Sequence, residues 1–296
     1  MSWIISRRQD LLWFHLSVLP ALALGALFAF VAPDNLALLC AWGVLLDGTH
    51  VFATYARSYL AGERELPGPG SFAIVLVGPA VALFWRPAFP AFLLAAYSWA
   101  YWHLVRQHWG FVALYRRGRT TRLGSWLWLG CLWPFLRFGL THDTGLWRPF
   151  TVPPIAVDLA ALAALVVLVV IRLGDRRPLR LGPAHLYVAI VIALHILTFT
   201  FVRSLMPIMA TLTLFHNLEY HRIVRHYQER RGRKSDYLLG GVIFGALWYL
   251  PRILGAAAAP PLWRELLIGA GWGVAFHHYL VDARIWRKPA LKGALA

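Results

Sequence analysis

The chain has 296 residues, of which 59% are hydrophobic and only 14% charged, where a soluble domain carries about a quarter charged; its mean hydropathy is +0.58. That composition excludes an ordinary water-soluble domain, and no polar stretch is long enough to build a separate one. The net charge of +16 does not indicate a nucleic-acid partner, because the arginines sit in short clusters between apolar runs, as the positive-inside rule places them.

The apolar runs are about 20 residues long, the length that crosses a hydrocarbon core of about 30 Å. Ten are marked in chain order: 11–32, 35–56, 71–87, 89–115, 123–141, 152–172, 184–202, 205–224, 237–254 and 262–284. Gly and Pro punctuate the gaps ("AGERELPGPG", "RPFTVPP", "AAAAPPLW"). The third and fifth runs are the weakest, so the count of spans lies between eight and ten. The first run follows the basic start "MSWIISRRQD" and has no clear small-x-small cleavage site; it is read as a retained helix rather than a removed signal. Cys40 and Cys131 lie inside apolar runs without CxxC spacing and are read as packing residues. The expected architecture is all-α: one polytopic transmembrane helical bundle over residues 1–296.

Ten spans permit a test of orientation. With Arg7 and Arg8 on the cytoplasmic side, 22 of the 29 Lys and Arg fall on the inner side. Five fall outside (Arg86, Arg148, Arg203, Arg252 and Arg264), and Arg106 and Arg137 lie within helices. That bias puts both termini in the cytoplasm, and the location expected is a bacterial inner membrane.

On this topology the second, fourth, eighth and tenth helices all run back toward the cytoplasm, and each carries polar groups two to four turns before its basic end. The second ends "LLDGTHVFATYARSYL", with Asp47 and His50; the fourth reads "YWHLVRQHWGFVALYRR", with His103 and His108. The eighth reads "FHNLEYHRIVRHY", with His216, Glu219 and His221; the tenth reads "GVAFHHYLVDARIWR", with His277, His278 and Asp282. At a rise of about 1.5 Å per residue these groups lie at similar depth in the inner half of the bilayer. A single histidine there is usually a helix–helix hydrogen bond or a snorkelling side chain. Seven histidines and three of the chain's 13 acidic residues at one level instead indicate a polar cluster inside the bundle, since ionisable groups at that depth are costly unless they face one another or a cavity.

Spacing refines this. Asp47 and His50, and His216 and Glu219, are three apart, while His278 and Asp282 are four apart; each such pair shares a helix face. His103/His108 and His216/His221 are five apart, about 140° around an ideal helix, and share one ion only across a π-bulge. Two metals, or one metal with one supporting His, satisfy the spacing. The metal-ligand candidates are therefore His50, His103, His108, His216, His221, His277 and His278, with Asp47, Glu219 and Asp282 as catalytic, ligating or supporting carboxylates. Among the other histidines, His226 is read as solvated, His142 as a surface residue and His195 as a core histidine; His15 and His185 each stand alone. Tyr55, Arg57 and Tyr59 are read as interfacial anchors, and Asp158 has no assigned role. Replacing His108 or His221 by Ala is expected to lower metal content, and replacing His142 to leave it unchanged.

Imidazole with carboxylate suits iron, zinc or manganese, and the absence of thiolates disfavours Zn–Cys₄ and iron–sulfur sites. The chain resembles the His-rich polytopic membrane oxygenases, both the fatty-acyl desaturases and hydroxylases and the bacterial Brp/Blh-type carotene-cleaving dioxygenases. The resemblance rests on histidines at cytoplasmic helix ends across residues 47–282. The desaturase boxes HxxxH and HxxHH are replaced here by two HxxxxH pairs and the adjacent His277–His278. It implies iron-dependent oxygenation of a lipophilic substrate with O₂; separately, ten candidate ligands are too many for one closed site and suit a pair of irons, with an electron-donor protein as a further expected partner. The rivals are a proton- or metal-coupled transporter, which uses intramembrane Asp, Glu and His chains, and a haem-binding electron carrier. A Ser hydrolase is disfavoured by the lack of GxSxG.

Overall fold

The computed structural model describes residues 3–32, 35–61, 67–117, 122–142, 152–174, 181–232 and 237–285. Of the basic residues that set the expected orientation, Arg64, Arg119, Arg148, Arg176, Arg177, Arg180, Arg233, Lys234, Arg287, Lys288 and Lys292 lie outside them. The described residues form helices and no strand. Each marked apolar run coincides with a helical segment: α1 Arg7–Val31, α2 Leu36–Arg57, α3 Pro69–Phe84, α4 Phe89–Tyr115, α5 Leu123–Thr141, α6 Pro154–Leu173, α7 Pro183–Phe201, α8 Leu205–Arg230, α9 Tyr237–Ala258 and α10 Pro261–Ile285.

Five of these, α1, α2, α6, α7 and α9, are long and apolar enough to cross a membrane. A sixth span exists if α3 and the helix that follows it are taken as one crossing bent by 119°. The bend falls at Trp85, which leaves helical conformation, just before Arg86 and Pro87. The segments that miss the threshold include α4, α8 and α10, which carry the histidines, carboxylates and arginines of the candidate site. The polar residues that make the site interesting also dilute those helices.

The chain divides into two compact units, Met1–Pro33 with Leu104–His216, and Asp34–His103 with Asn217–Ala296. In the first, Phe14, Phe111, Leu127, Cys131, Tyr187, Val191 and Leu194 are buried. Cys131 is buried and Cys40 half-buried, in keeping with a packing role. Helix α6 is apolar but for Asp158 and Arg172 and buries no residue, as suits a helix whose outer face meets lipid. Asp158, on α6, accepts a hydrogen bond from Trp133 Nε1 at 2.9 Å and pairs with Arg137 at 3.4 Å. Its carboxylate therefore anchors α6 to α5.

In the second unit two glycine stripes bring helix backbones together. Gly241 and Gly245 on α9 form a GxxxG pair: a Cβ on Gly245 would land on the Val44 carbonyl, and one on Gly241 would crowd Thr49. Gly269 and Gly273 on α10 repeat the device against α3, where a Cβ would strike Gly78 and Val75. Without a hydrophobic driving force between helices in lipid, such close backbone approach is what holds them. Helix α2, gripped by the first stripe, is π-helical from Trp42 to Gly48. That widened turn ends immediately before Thr49 and His50, and it sets which way they face.

Candidate metal centre

In the second unit His103, His278 and Asp282 come together, all three buried, with one potential ligand atom from each lying within 4.8 Å of the others. It is the one such group of three among the described residues. His103 Nε2 stands 3.8 Å from Asp282 Oδ2. His278 and Asp282 occupy one face of α10, as their four-residue spacing requires, and α4 delivers His103. His50, from α2, adds a third imidazole: its Nε2 is 3.2 Å from His278 Nε2. Two imidazole nitrogens bound to one tetrahedral ion at about 2.0–2.1 Å stand about 3.3 Å apart, and an N–H···N hydrogen bond spans a similar distance. The His278 Nδ1 atom is buried without a hydrogen-bond partner, so the ring is held through Nε2 and by packing. His103 is oriented by Tyr279, whose ring stacks on it at 4.1 Å.

Around these four residues lies a ring of hydroxyls. Asp282 Oδ1 accepts hydrogen bonds from Tyr220 at 2.7 Å and Thr54 at 3.0 Å, and Thr54 Oγ and Tyr220 OH are themselves 2.7 Å apart. The Tyr220 ring meets His50 edge-on at 4.6 Å.

The remaining site residues expected in this unit lie outside that group of three. Both nitrogens of His277 face hydroxyls, Nδ1 toward Tyr55 OH and Nε2 toward Ser71 Oγ, each at 3.1 Å, and Phe72 stacks on the ring at 4.0 Å. His221 is similarly engaged, by Thr49 Oγ at 3.2 Å and Tyr237 OH at 3.0 Å. Asp47 accepts a hydrogen bond from Tyr249 on α9, whose ring lies under the Arg252 guanidinium at 5.0 Å. The three-residue spacing of Asp47 and His50 places them on one face of an α-helix, but the π-helical turn through Asp47 changes the phase. Asp47 therefore turns to α9 while His50 turns to α10. Glu219 is fully buried on α8.

His108 and His216 belong to the first unit, where they are buried with His195. The His108 ring lies 5.9 Å from that of His195 and 6.1 Å from that of His216, both nearly perpendicular. Tyr187 OH holds His108 Nδ1 at 2.7 Å. His195 Nδ1 donates to the Val191 carbonyl at 2.8 Å, which leaves Nε2 as its basic nitrogen. Helices α4 and α8 are regular α-helices here. Each five-apart pair accordingly splits, with His103 and His221 in one unit and His108 and His216 in the other.

Several residues that shape the site carry no signal in the sequence. Thr54, Tyr220, Ser71, Tyr237 and Tyr187 each place a hydroxyl on a histidine or carboxylate, but in a chain this rich in aromatic and small residues they read as ordinary packing. Tyr55 alone among these hydroxyl donors stands out in the sequence, and there as an interfacial anchor. The aromatic run Tyr97–Trp102, with Trp272, reads equally as the lining of an apolar slot and as helix packing; Trp99 stacks on Phe276 at 4.7 Å and Tyr97 meets Trp272 at 4.8 Å, so rings of α4 and α10 pack against one another. No known protein family, curated protein or solved structure matches this chain.

Proposed function

We propose that this chain is a polytopic membrane oxidoreductase, an iron-dependent oxygenase, hydroxylase or desaturase acting on a fatty-acyl, isoprenoid or carotenoid-like substrate with O₂. The observation that carries the reading is the buried His103–His278–Asp282 group. Two imidazoles and one carboxylate, with coordination positions left over, suit a non-haem iron(II) that activates O₂. His50 is placed to be a fourth ligand or to hold His278. Zinc or manganese is the alternative ion for the same donors. We take one ion at this centre, because His108 and His216, on which a second iron would depend, lie with His195 outside any group that meets ligand spacing among the described residues. Bound iron would supply the oxidising power; the protein supplies a dry, fixed donor set, and an electron-donor protein would provide reducing equivalents. The ten-span topology with both termini cytoplasmic, in a bacterial inner membrane, belongs to the same proposal, and reporter fusions at the two ends test it directly.

Elemental analysis of protein purified without added metal tests the centre itself. About one iron per chain is expected. A chain free of transition metal, or a haem absorption band, would remove the reading.

A second reading, proton- or metal-coupled transport, is favoured by one observation, the buried His108–His195–His216 group with Tyr187 in the first unit. Lines of such groups carry protons in membrane proteins. Reconstituted vesicles bearing a pH gradient and an internal pH dye would show dissipation if this reading were right.

A further inference from the structure

We propose that Tyr220 and Thr54 are positioning residues that clamp one oxygen of Asp282 so that the other is presented to the histidines. The inference rests on the metal centre proposed above and deepens it.

Both hydroxyls converge on Asp282 Oδ1, Tyr220 at 2.7 Å and Thr54 at 3.0 Å, while Oδ2 is the oxygen turned to His103 Nε2, at 3.8 Å. Thr54 comes from α2, Tyr220 from α8 and Asp282 from α10, so three helices meet at one carboxylate oxygen. Tyr220 and Thr54 are fully buried and Asp282 is 1% exposed, so water does not compete for these bonds. Two hydroxyl donors from different helices converge on one oxygen, and the other faces His103.

Tyr220 and Thr54 bring one hydrogen each to the three close contacts of the three oxygens. Tyr220 donates to Oδ1, and the Thr54 hydroxyl shares its hydrogen between Oδ1 and the Tyr220 oxygen. Charge-assisted O–H···O⁻ bonds of about 2.5–2.7 Å are the strong ones, and the Tyr220 bond falls at that length. Tyr220 acts twice, because its ring edge also packs on His50 at 4.6 Å. One side chain thereby fixes the rotation of the carboxylate and the tilt of an imidazole. Groups that orient ligands in this way typically change metal affinity about 10–100-fold when removed.

The experiment is a Co²⁺ titration of metal-stripped full-length protein in detergent, read by the visible ligand-field bands, with thermal unfolding of the stripped forms recorded alongside. Wild type, Tyr220→Phe, Thr54→Val, Thr54→Ser and His103→Ala are compared. Tyr220→Phe and Thr54→Val are expected to weaken Co²⁺ binding about 10–100-fold and to shift the bands, whereas Thr54→Ser, which keeps the hydroxyl, binds as wild type does. If Tyr220→Phe and Thr54→Val bind with unchanged affinity and spectrum, the clamp is wrong while the centre stands. A lower unfolding temperature with an unchanged spectrum overturns the clamp in the same way. If wild type fails to bind, or binds no better than His103→Ala, the centre itself is wrong and the clamp falls with it.

Discussion

At the scale of single residues, the histidines separate by what their nitrogens already face. His277 and His221 have hydroxyls at both ring nitrogens, whereas His103 and His278 face a carboxylate and another imidazole. Replacing His103 or His278 by Ala is therefore expected to abolish stoichiometric metal, and His277→Ala or His221→Ala to retain it, measured as metal per chain. Spacing alone places His221 among the ligands; the hydroxyls of Thr49 and Tyr237 move that expectation. The i,i+4 pair His278/Asp282 is legible in the sequence because both residues sit on one regular helix. Asp47 and His50 are not legible as a divided pair, because nothing in "LLDGTH" announces the π-helical turn between them. Tyr220 is invisible for a different reason: its partners Thr54 and Asp282 lie 166 and 62 residues away.

At the scale of elements, the glycine stripes set how closely helices approach. Gly245→Leu would drive a side chain into the Val44 backbone on α2. Overpacking of this kind costs about 1–3 kcal/mol or more, and Gly245 also lies against Gly48, the residue before Thr49 and His50. A lowered unfolding temperature together with weakened metal binding is expected. Gly110, on α4, is the control: a Cβ there meets nothing within 4 Å. Gly110→Ala should leave the unfolding temperature unchanged or raise it, since Ala is favoured over Gly in a helix interior by about 1 kcal/mol. Element positions are the most legible part of the fold, since an apolar run bounded by Gly and Pro is a local signal. The π-helical segments of α1 and α2 and the 119° bend after α3 are less so, because they depend on what each helix packs against.

At the scale of the whole molecule, an ion that binds only the folded chain couples its own concentration to stability. At a free metal concentration of about 100 Kd that coupling is about 2.7 kcal/mol. Chelation is expected to lower the unfolding temperature of wild type and to leave that of Asp282→Ala unchanged, as calorimetry with and without chelator would show.

A helical membrane protein with ten apolar segments, and histidines gathered near one end of four of them, is legible from residue order alone, because apolar length and helical spacing are properties of a chain read locally. Which of those histidines lie close together emerges from the way the helices pack. Two five-apart pairs on regular helices point 140° apart and go to separate units, and a π-helical turn parts Asp47 from His50. Hydroxyls brought in from distant helices then take up the nitrogens of His221 and His277. A ligand set is defined by atoms a few ångströms apart, and for His50, His103 and His278 that proximity is made by contacts spanning some 175–230 residues of chain, which no local pattern encodes.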